Sequence, residues 1–394
     1  MDKPKTNKST GSVLGLMIVL AIGFGQYFLL SLIGGHSQSL TYSTVVDGIT
    51  GNFFKQIQWF FMNFTEPQFY AGIFAGIGVI VGGIVAYILT KKNSKYAGFD
   101  VCYGSSSLFP WVLASQLISL ALTIFVFRYI NLFDMTQSTW VATFITVVGA
   151  PPSIVLLYGP SISALLTSSV LASLLSAPVA TWISTYIVGP LGVPGVVANV
   201  STMAVVGVTV CYVCKILPWV KKAEAKPHRK APAPADDVYS PGWFVRRCLA
   251  EFTEAQFYGN EVASIFLLLG VLIDWIISSD LPGYGGFTLP AILLSQFVGA
   301  AVGVFLYAPK FENGGWYATY VPVVSVGPAC VLMFGANIPV AVFAGVLGGI
   351  IGAPLADFFA TKLPEGVHGT NANVTSMALS TIIVSVVMKF LGIF

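Results

Sequence analysis

The same series of short motifs runs through the chain twice. Phe64, Thr65, Glu66, Gln68, Phe69 and Tyr70 of "NFTEPQFYAG" (63–72) recur as Phe252, Thr253, Glu254, Gln256, Phe257 and Tyr258 of "EFTEAQFYGN" (251–260). Further along, "LFPWVLASQL" answers to "TLPAILLSQF" and "WVATFITVVGAPPSIVLLYG" to "WYATYVPVVSVGPACVLMFG". Finally "APVATW" answers to "APLADF", and "ANVSTMA" to "ANVTSMA". The order never changes and length differences fall in loops, which is the mark of a duplicated unit. Whatever one copy builds, the other must be able to build as well.

Only 9% of the 394 residues are charged and 56% are hydrophobic, against about 25% charged in soluble domains, so the unit belongs in a bilayer. Apolar runs of about 20 residues, each enough for a helix across ~30 Å of hydrocarbon, recur along the whole length. They predict about eleven spans: 12–34, 68–90, 108–130, 138–158, 161–187, 196–217, 257–278, 288–308, 317–335, 338–360 and 371–392. The first has no small-residue cleavage site after a short apolar core and is too long for a signal-peptide core, so it reads as a helix.

Each copy holds five of these spans, and an odd number obliges the second copy to enter the membrane from the opposite side. Charge tests that inversion. With a cytoplasmic amino terminus, every Lys and Arg except Lys55, Arg128 and Lys389 falls on the inner side, including the run from Lys215 to Arg247. The expected fold is an all-α polytopic membrane protein, one leading helix plus two inverted five-helix repeats with broken or re-entrant segments. Residues 1–50 hold the tail, leading helix and outer loop, 51–220 the first repeat, 221–242 a cytoplasmic linker rich in Ala and Pro, and 243–394 the second repeat. The expected location is the cytoplasmic (inner) membrane. Orientation accounts for the net charge of +3, so nucleic acid is not an expected partner.

Inverted repeats build transporters and channels around a site near the midplane, and the duplicated polar residues are the candidates for it. Glu66 and Glu254 stand out, with Gln68 and Gln256 two positions on. Helix capping is the plainer alternative, since Thr before an acid and a proline is an ordinary helix start. Yet Ala255 replaces the proline while Glu and Gln stay, which capping alone does not demand. Asn199 and Asn373, with Ser201 and Thr375 beside them, follow the Gly- and Pro-rich loops "GPLGVPGVVAN" and "KLPEGVHGTNAN", which read as re-entrant elements leading into a helix. The proline-interrupted segments "VVGAPPSIVLLYGPS" and "VVSVGPACVLMFGAN" would free carbonyls at matching depths.

Glu261, Asp274 and Asp357 occur only in the second copy, opposite Ile73, Ala86 and Thr181, and are the candidates for coupling to a proton or sodium ion. No Lys or Arg is expected deep in the apolar runs. Cys211 and Cys214 form a CxxC without nearby partner ligands, so packing is the expected role and no metal or cofactor is expected. His36, His228 and His368 fall in loops or the linker, His368 being read as a surface residue. No His cluster or Ser, His and Asp set suggests an enzyme. Glycine patterns such as "GIFAGIGVIVGG" suit close helix contact, within the chain or in an oligomer.

The halves resemble those of the urea transporters, whose repeats are also five inverted helices. "QWFFMNFTEPQFYAGI" resembles their Gln-containing opening element, and "SAPVATWISTYIVGPLGVPGVVANVSTMA" and "GAPLADFFATKLPEGVHGTNANVTSMA" resemble the closing one. ANV(S/T) stands where that family has Thr-x-Pro-Phe, and Gln68 follows the proline instead of preceding it, so the likeness is one of architecture. It implies that Glu66, Gln68, Glu254 and Gln256 coordinate solute, that Phe69 and Phe257 line a slot, and that the chain forms a homo-oligomer. The expected function is a transporter or channel for a small polar solute, with a urea- or ammonium-type passive channel as the alternative and an integral membrane enzyme or scaffold as a further one.

Overall fold

The computed structural model describes residues 10–34, 40–224 and 237–394. Lys3, Lys5, Lys8, His36, His228 and most of the expected linker lie outside them. The described residues form helices joined by turns, with no strand among them. A leading helix α1 (Val13–Ile33) precedes the first copy, which supplies α2 (Phe53–Met62), α3 (Ile73–Lys91), α4 (Phe109–Ala121), α5 (Ala150–Tyr158), α6 (Ile162–Ile183) and α7 (Val196–Ile216). The second copy supplies α8 (Pro241–Ala250), α9 (Glu261–Ile277), α10 (Leu289–Tyr307), α11 (Val326–Phe334), α12 (Ile338–Ala360) and α13 (Thr370–Leu391). α8 begins inside the segment expected as linker.

Eight of the expected spans correspond to helices long and apolar enough to cross a bilayer, and the chain is a multi-pass membrane protein. The other three are shorter. Residues 257–278 hold the 17-residue α9, while 138–158 and 317–335 each hold a nine-residue helix, α5 and α11, behind a break in the backbone. Gly149 (φ −97°, ψ −127°) and Ser325 (φ −150°, ψ −83°) make those breaks, at matched places in the two copies.

Matched helices also meet each other, and they cross in opposite directions. Along α3 and α9, Gly78 lies against the Phe266 carbonyl, Gly82 against Ala263, and Gly270 against Phe74 and Ala75, so residue numbers rise on one helix as they fall on the other. A side chain at any of these glycines would meet backbone, which is why small residues sit at the crossing. α7 and α13 show the same sense, with Gly207 against Asn371 and Lys389 reaching the Gly192 carbonyl. α1 stands outside this arrangement and lies on α10, with Gly23 facing Phe297 and Gln26 donating to the Pro290 carbonyl at 3.3 Å.

At the centre the two copies exchange amides. Gln68 Nε2 donates to Gln256 Oε1 at 2.7 Å and to the Phe252 carbonyl at 2.7 Å. Gln256 Nε2 returns both bonds, to Gln68 Oε1 and the Phe64 carbonyl, each at 2.8 Å. Around this pair, Gln116 Nε2 donates to the Gln256 and Val147 carbonyls (both 3.0 Å), and Gln296 Nε2 to those of Gln68 (3.0 Å) and Val323 (2.7 Å). Tyr258 and Tyr70 donate in turn to Gln116 Oε1 (2.9 Å) and Gln296 Oε1 (2.7 Å). All four glutamines are fully buried, so each bond replaces one that water cannot supply. The expected free carbonyls at the helix breaks are thus partly closed from within, at Val147 and Val323.

Removing either central amide orphans groups in the other copy, at about 1–3 kcal/mol for each unsatisfied group. Gln68→Ala and Gln256→Ala should therefore each lower the thermal unfolding midpoint in detergent. The double variant should lose clearly less than the sum of the two, because the second substitution removes a partner that is already orphaned. Additive losses would mean that the exchange does not couple the copies.

Candidate functional site

The acidic motif builds a tight turn. Thr65 Oγ1 accepts from the Gly72 amide at 3.2 Å and Thr253 Oγ1 from the Asn260 amide at 3.2 Å, closing matched seven-residue loops. Inside each loop a phenylalanine takes a left-handed conformation, Phe69 at φ 64° and Phe257 at φ 67°. Such geometry is uncommon for a bulky side chain and persists only where its surroundings impose it. Within the turn, the glutamine joins the central exchange and the glutamate lines a cavity.

Capping does not explain the motif. Thr65 makes no side-chain cap, and the helices begin after the loops, at Ile73 and Glu261. The real caps differ between copies. Asn260 Oδ1 accepts from Val262 (2.8 Å) and Ala263 (3.0 Å) at the start of α9. Its counterpart Gly72 has no side chain, and the equivalent amides of Phe74 (3.0 Å) and Ala75 (2.8 Å) bond instead to the Asp274 carboxylate, reaching across from α9. Asp274, expected in ion coupling, is thus the cap of α3.

The cavity lies between the copies and is lined by pairs: Glu66 with Glu254, Phe69 with Phe257, Phe144 with Tyr320, Val148 with Val324, Val200 with Val374 and Met203 with Met377. Asn199, Tyr103, Tyr284 and Thr370 complete most of the rest. Its volume is about 40 Å³. A single water needs roughly 10–15 Å³ on the same measure, so there is room for about three waters or one small solute.

The two carboxylates are held in the same frame with different charge. Glu66 Oε2 accepts from Trp140 Nε1 (3.0 Å) and Tyr284 Oη (2.6 Å), while its Oε1 has no partner. Glu254 Oε1 accepts from Trp316 Nε1 (3.4 Å), the match of Trp140, and also from Arg247 Nη2, leaving Oε2 without a partner. Arg247 is 6% exposed and lies 3.6 Å from Glu251, which accepts from the Thr319 hydroxyl. The first copy has Trp59, Asn63 and Thr143 at these positions, and they form a neutral chain. Trp59 Nε1 donates to Thr143 Oγ1 at 2.8 Å, and Thr143 donates to Asn63 Oδ1 at 2.7 Å.

The candidates from sequence therefore divide. Glu66, Glu254 and Asn199 line the cavity, and Asn373 reaches it through Tyr320, donating to the phenol oxygen at 3.2 Å. Phe69 and Phe257 line it too. Gln68 and Gln256 do not; their polar atoms are committed to the central exchange. Thr375 bonds back to the Asn371 carbonyl (2.7 Å) within its own helix, and Ser201 is half-buried away from the lining. Glu261 pairs with Arg246 at 2.7 Å and accepts from the Phe99 amide at 2.7 Å, while Asp357 is exposed beside Lys310 at 3.5 Å. His368 is half-buried, 6.1 Å from the Phe257 ring. Cys211 and Cys214 are buried and free.

Sequence reasoning missed Arg247, counted among cytoplasmic charges, and with it Glu251. The signal was present in the repeat: Arg247 aligns with Trp59, and its spacing to Glu251 is one helical turn. Trp140 and Trp316, which open a matched motif, were also legible as a pair. No family model, curated protein or solved structure matches this chain.

A cap and a coupling residue respond differently to substitution. Asp274→Asn keeps one of the two acceptors and turns an amide donor toward the other backbone N–H, so it should cost about 1–3 kcal/mol, and Asp274→Ala, which orphans both amides, should cost more. For both variants the loss should appear in the thermal unfolding midpoint in detergent; a wild-type midpoint in both would remove Asp274 from its capping role.

Proposed function

We propose that this protein is a transporter or channel that moves a small polar solute through the cavity between its two copies. The observation that carries this reading is that both copies contribute the same residues to one small internal cavity, Glu66 and Glu254 among them. Buried carboxylates in a membrane are expensive and generally line a path or a binding site. The antiparallel contacts of α3 with α9 and α7 with α13 support an inverted repeat, and with it five spans or span-like broken elements per copy beyond the leading helix. α5 and α11, halved at Gly149 and Ser325, supply the short broken elements that such proteins place beside their sites.

On this reading the protein sits in a cytoplasmic membrane with its amino terminus inside, as the basic residues favour. Glu66 and Glu254 contact the solute, Asn199 and Asn373 border it, and the paired Phe69 and Phe257 narrow the route. Glu261, Asp274 and Asp357 have structural partners and lie outside the path.

Flux into proteoliposomes tests the proposal, with a panel of small neutral and charged solutes. Glu66→Gln and Glu254→Gln should each slow uptake of the transported solute by about ten-fold or more, the effect of losing one charge-assisted contact of about 1.4 kcal/mol or above. Wild-type rates in both folded variants would remove the carboxylates from the path.

A further inference from the structure

The asymmetry between the two carboxylates identifies the solute class. In the second copy, Arg247 gives Glu254 and Glu251 a tethered cation. In the first copy the matching position is Trp59, and among the described residues Glu66 has no ion pair. Its donors, Trp140 and Tyr284, both approach Oε2, so Oε1 is left without a partner on a side chain that lines the cavity. The titratable groups lining the cavity with it are the phenols Tyr103, Tyr284 and Tyr320 and the acid Glu254, which is paired with Arg247; Tyr42 stacks edge-on against Tyr284 with ring centres 5.6 Å apart, and His368 lies 6.1 Å from the Phe257 ring. Among the described residues no Lys, Arg or His lines the cavity itself.

We propose that a small ammonium-type cation supplies the positive partner of Glu66, bound in the cavity against its carboxylate. This rests on the cavity being the transport site. A divalent metal is a poor fit, because calcium takes roughly six to eight oxygen ligands and magnesium demands a near-ideal octahedron, which this largely apolar wall does not provide. An N–H cation needs few acceptors, and its charge is attracted to aromatic faces. Phe69, Phe144 and Tyr284 are among the aromatic residues that line the cavity, and Tyr284 is bonded to Glu66 itself. With about 40 Å³ available, ammonium and methylammonium fit and a tetraalkylated ion does not. Arg247 is then the built-in counterpart of the solute at Glu254, a tethered cation that it shares with Glu251, while the cargo partners Glu66.

Trp140 donates directly to the Glu66 carboxylate and reports on it. Purified full-length protein in detergent is titrated with methylammonium chloride at constant ionic strength, reading tryptophan emission, with sodium, tetraethylammonium and urea as comparisons. The expected result is a saturable change with methylammonium, absent with tetraethylammonium and urea and absent in Trp140→Phe. Glu66→Gln should weaken the apparent affinity by about ten-fold or more, as loss of a buried charge partner does. Lowering pH should weaken binding in wild type by protonating Glu66 and should not do so in Glu66→Gln.

Several results overturn the inference. Saturable binding of urea without any cation would keep the cavity as the site and assign it a neutral solute. A pH-dependent emission with no cation response would make Glu66 a proton site, and a response to sodium alone would make the ligand a metal ion. Methylammonium binding that survives unchanged in folded Glu66→Gln would place the ion elsewhere. Failure of the transport reading itself looks different: cation binding that depends on Glu66 with wild-type flux in Glu66→Gln liposomes.

Discussion

The reciprocal bond between Gln68 and Gln256 is the constraint on which the rest depends. A primary amide in a membrane interior has no water to turn to, and one amide alone cannot satisfy itself. Two amides related by an approximate two-fold axis can, each donating to the other and to a carbonyl across the interface. That arrangement holds the two acidic turns against each other, each turn bent at a left-handed phenylalanine, Phe69 or Phe257. With the glutamines engaged in the exchange, the neighbouring glutamates are left to line the cavity between the copies.

Much of the polar chemistry here is spent on the backbone. Gln116 and Gln296 take carbonyls at the interrupted helices, Thr65 and Thr253 close loops, and Asn260 and Asp274 cap helices. These assignments explain why so many hydroxyls and amides survive in a chain with 9% charged residues. Against that background Glu66 and Glu254 are conspicuous, since each lines the cavity and keeps one carboxylate oxygen without a partner. The copies differ within one frame: Asn260 caps α9 where Asp274 serves α3, and Arg247, Glu251 and Thr319 stand where the first copy has the neutral Trp59, Asn63 and Thr143.

The helical membrane class and eight full-length spans were legible in the sequence, because apolar length is read directly. The repeat was legible too, and through it the pairing of Glu66 with Glu254. What the motifs did was harder to read. Gln68 and Glu66 sit two residues apart in one 3₁₀ turn, whose three-residue period sends their side chains in different directions, one to the interface and the other to the cavity. Asp274 looked like an ion-coupling acid because the amides it caps belong to the other copy, about 200 positions away in sequence. Arg247 looked like an interfacial charge because its partners follow it across the turn that ends α8. Partners brought together by tertiary structure, like those of Asp274, leave no local pattern, whereas the i,i+4 spacing of Arg247 and Glu251 was readable in the sequence.

The proposed inversion is tested most directly by sidedness at matched loop positions. Gln137 and Asn313 occupy equivalent places before Trp140 and Trp316, both are exposed, and both adopt left-handed backbone, at φ 53° and 56°. The five native cysteines are buried and give low background. Gln137→Cys and Asn313→Cys are labelled with a membrane-impermeant maleimide in intact cells and in inverted vesicles. Two inverted copies around one cavity predict that each position reacts from one side only and that the sides are opposite. Labelling of both from the same side would contradict that arrangement and, with it, the shared path between the copies.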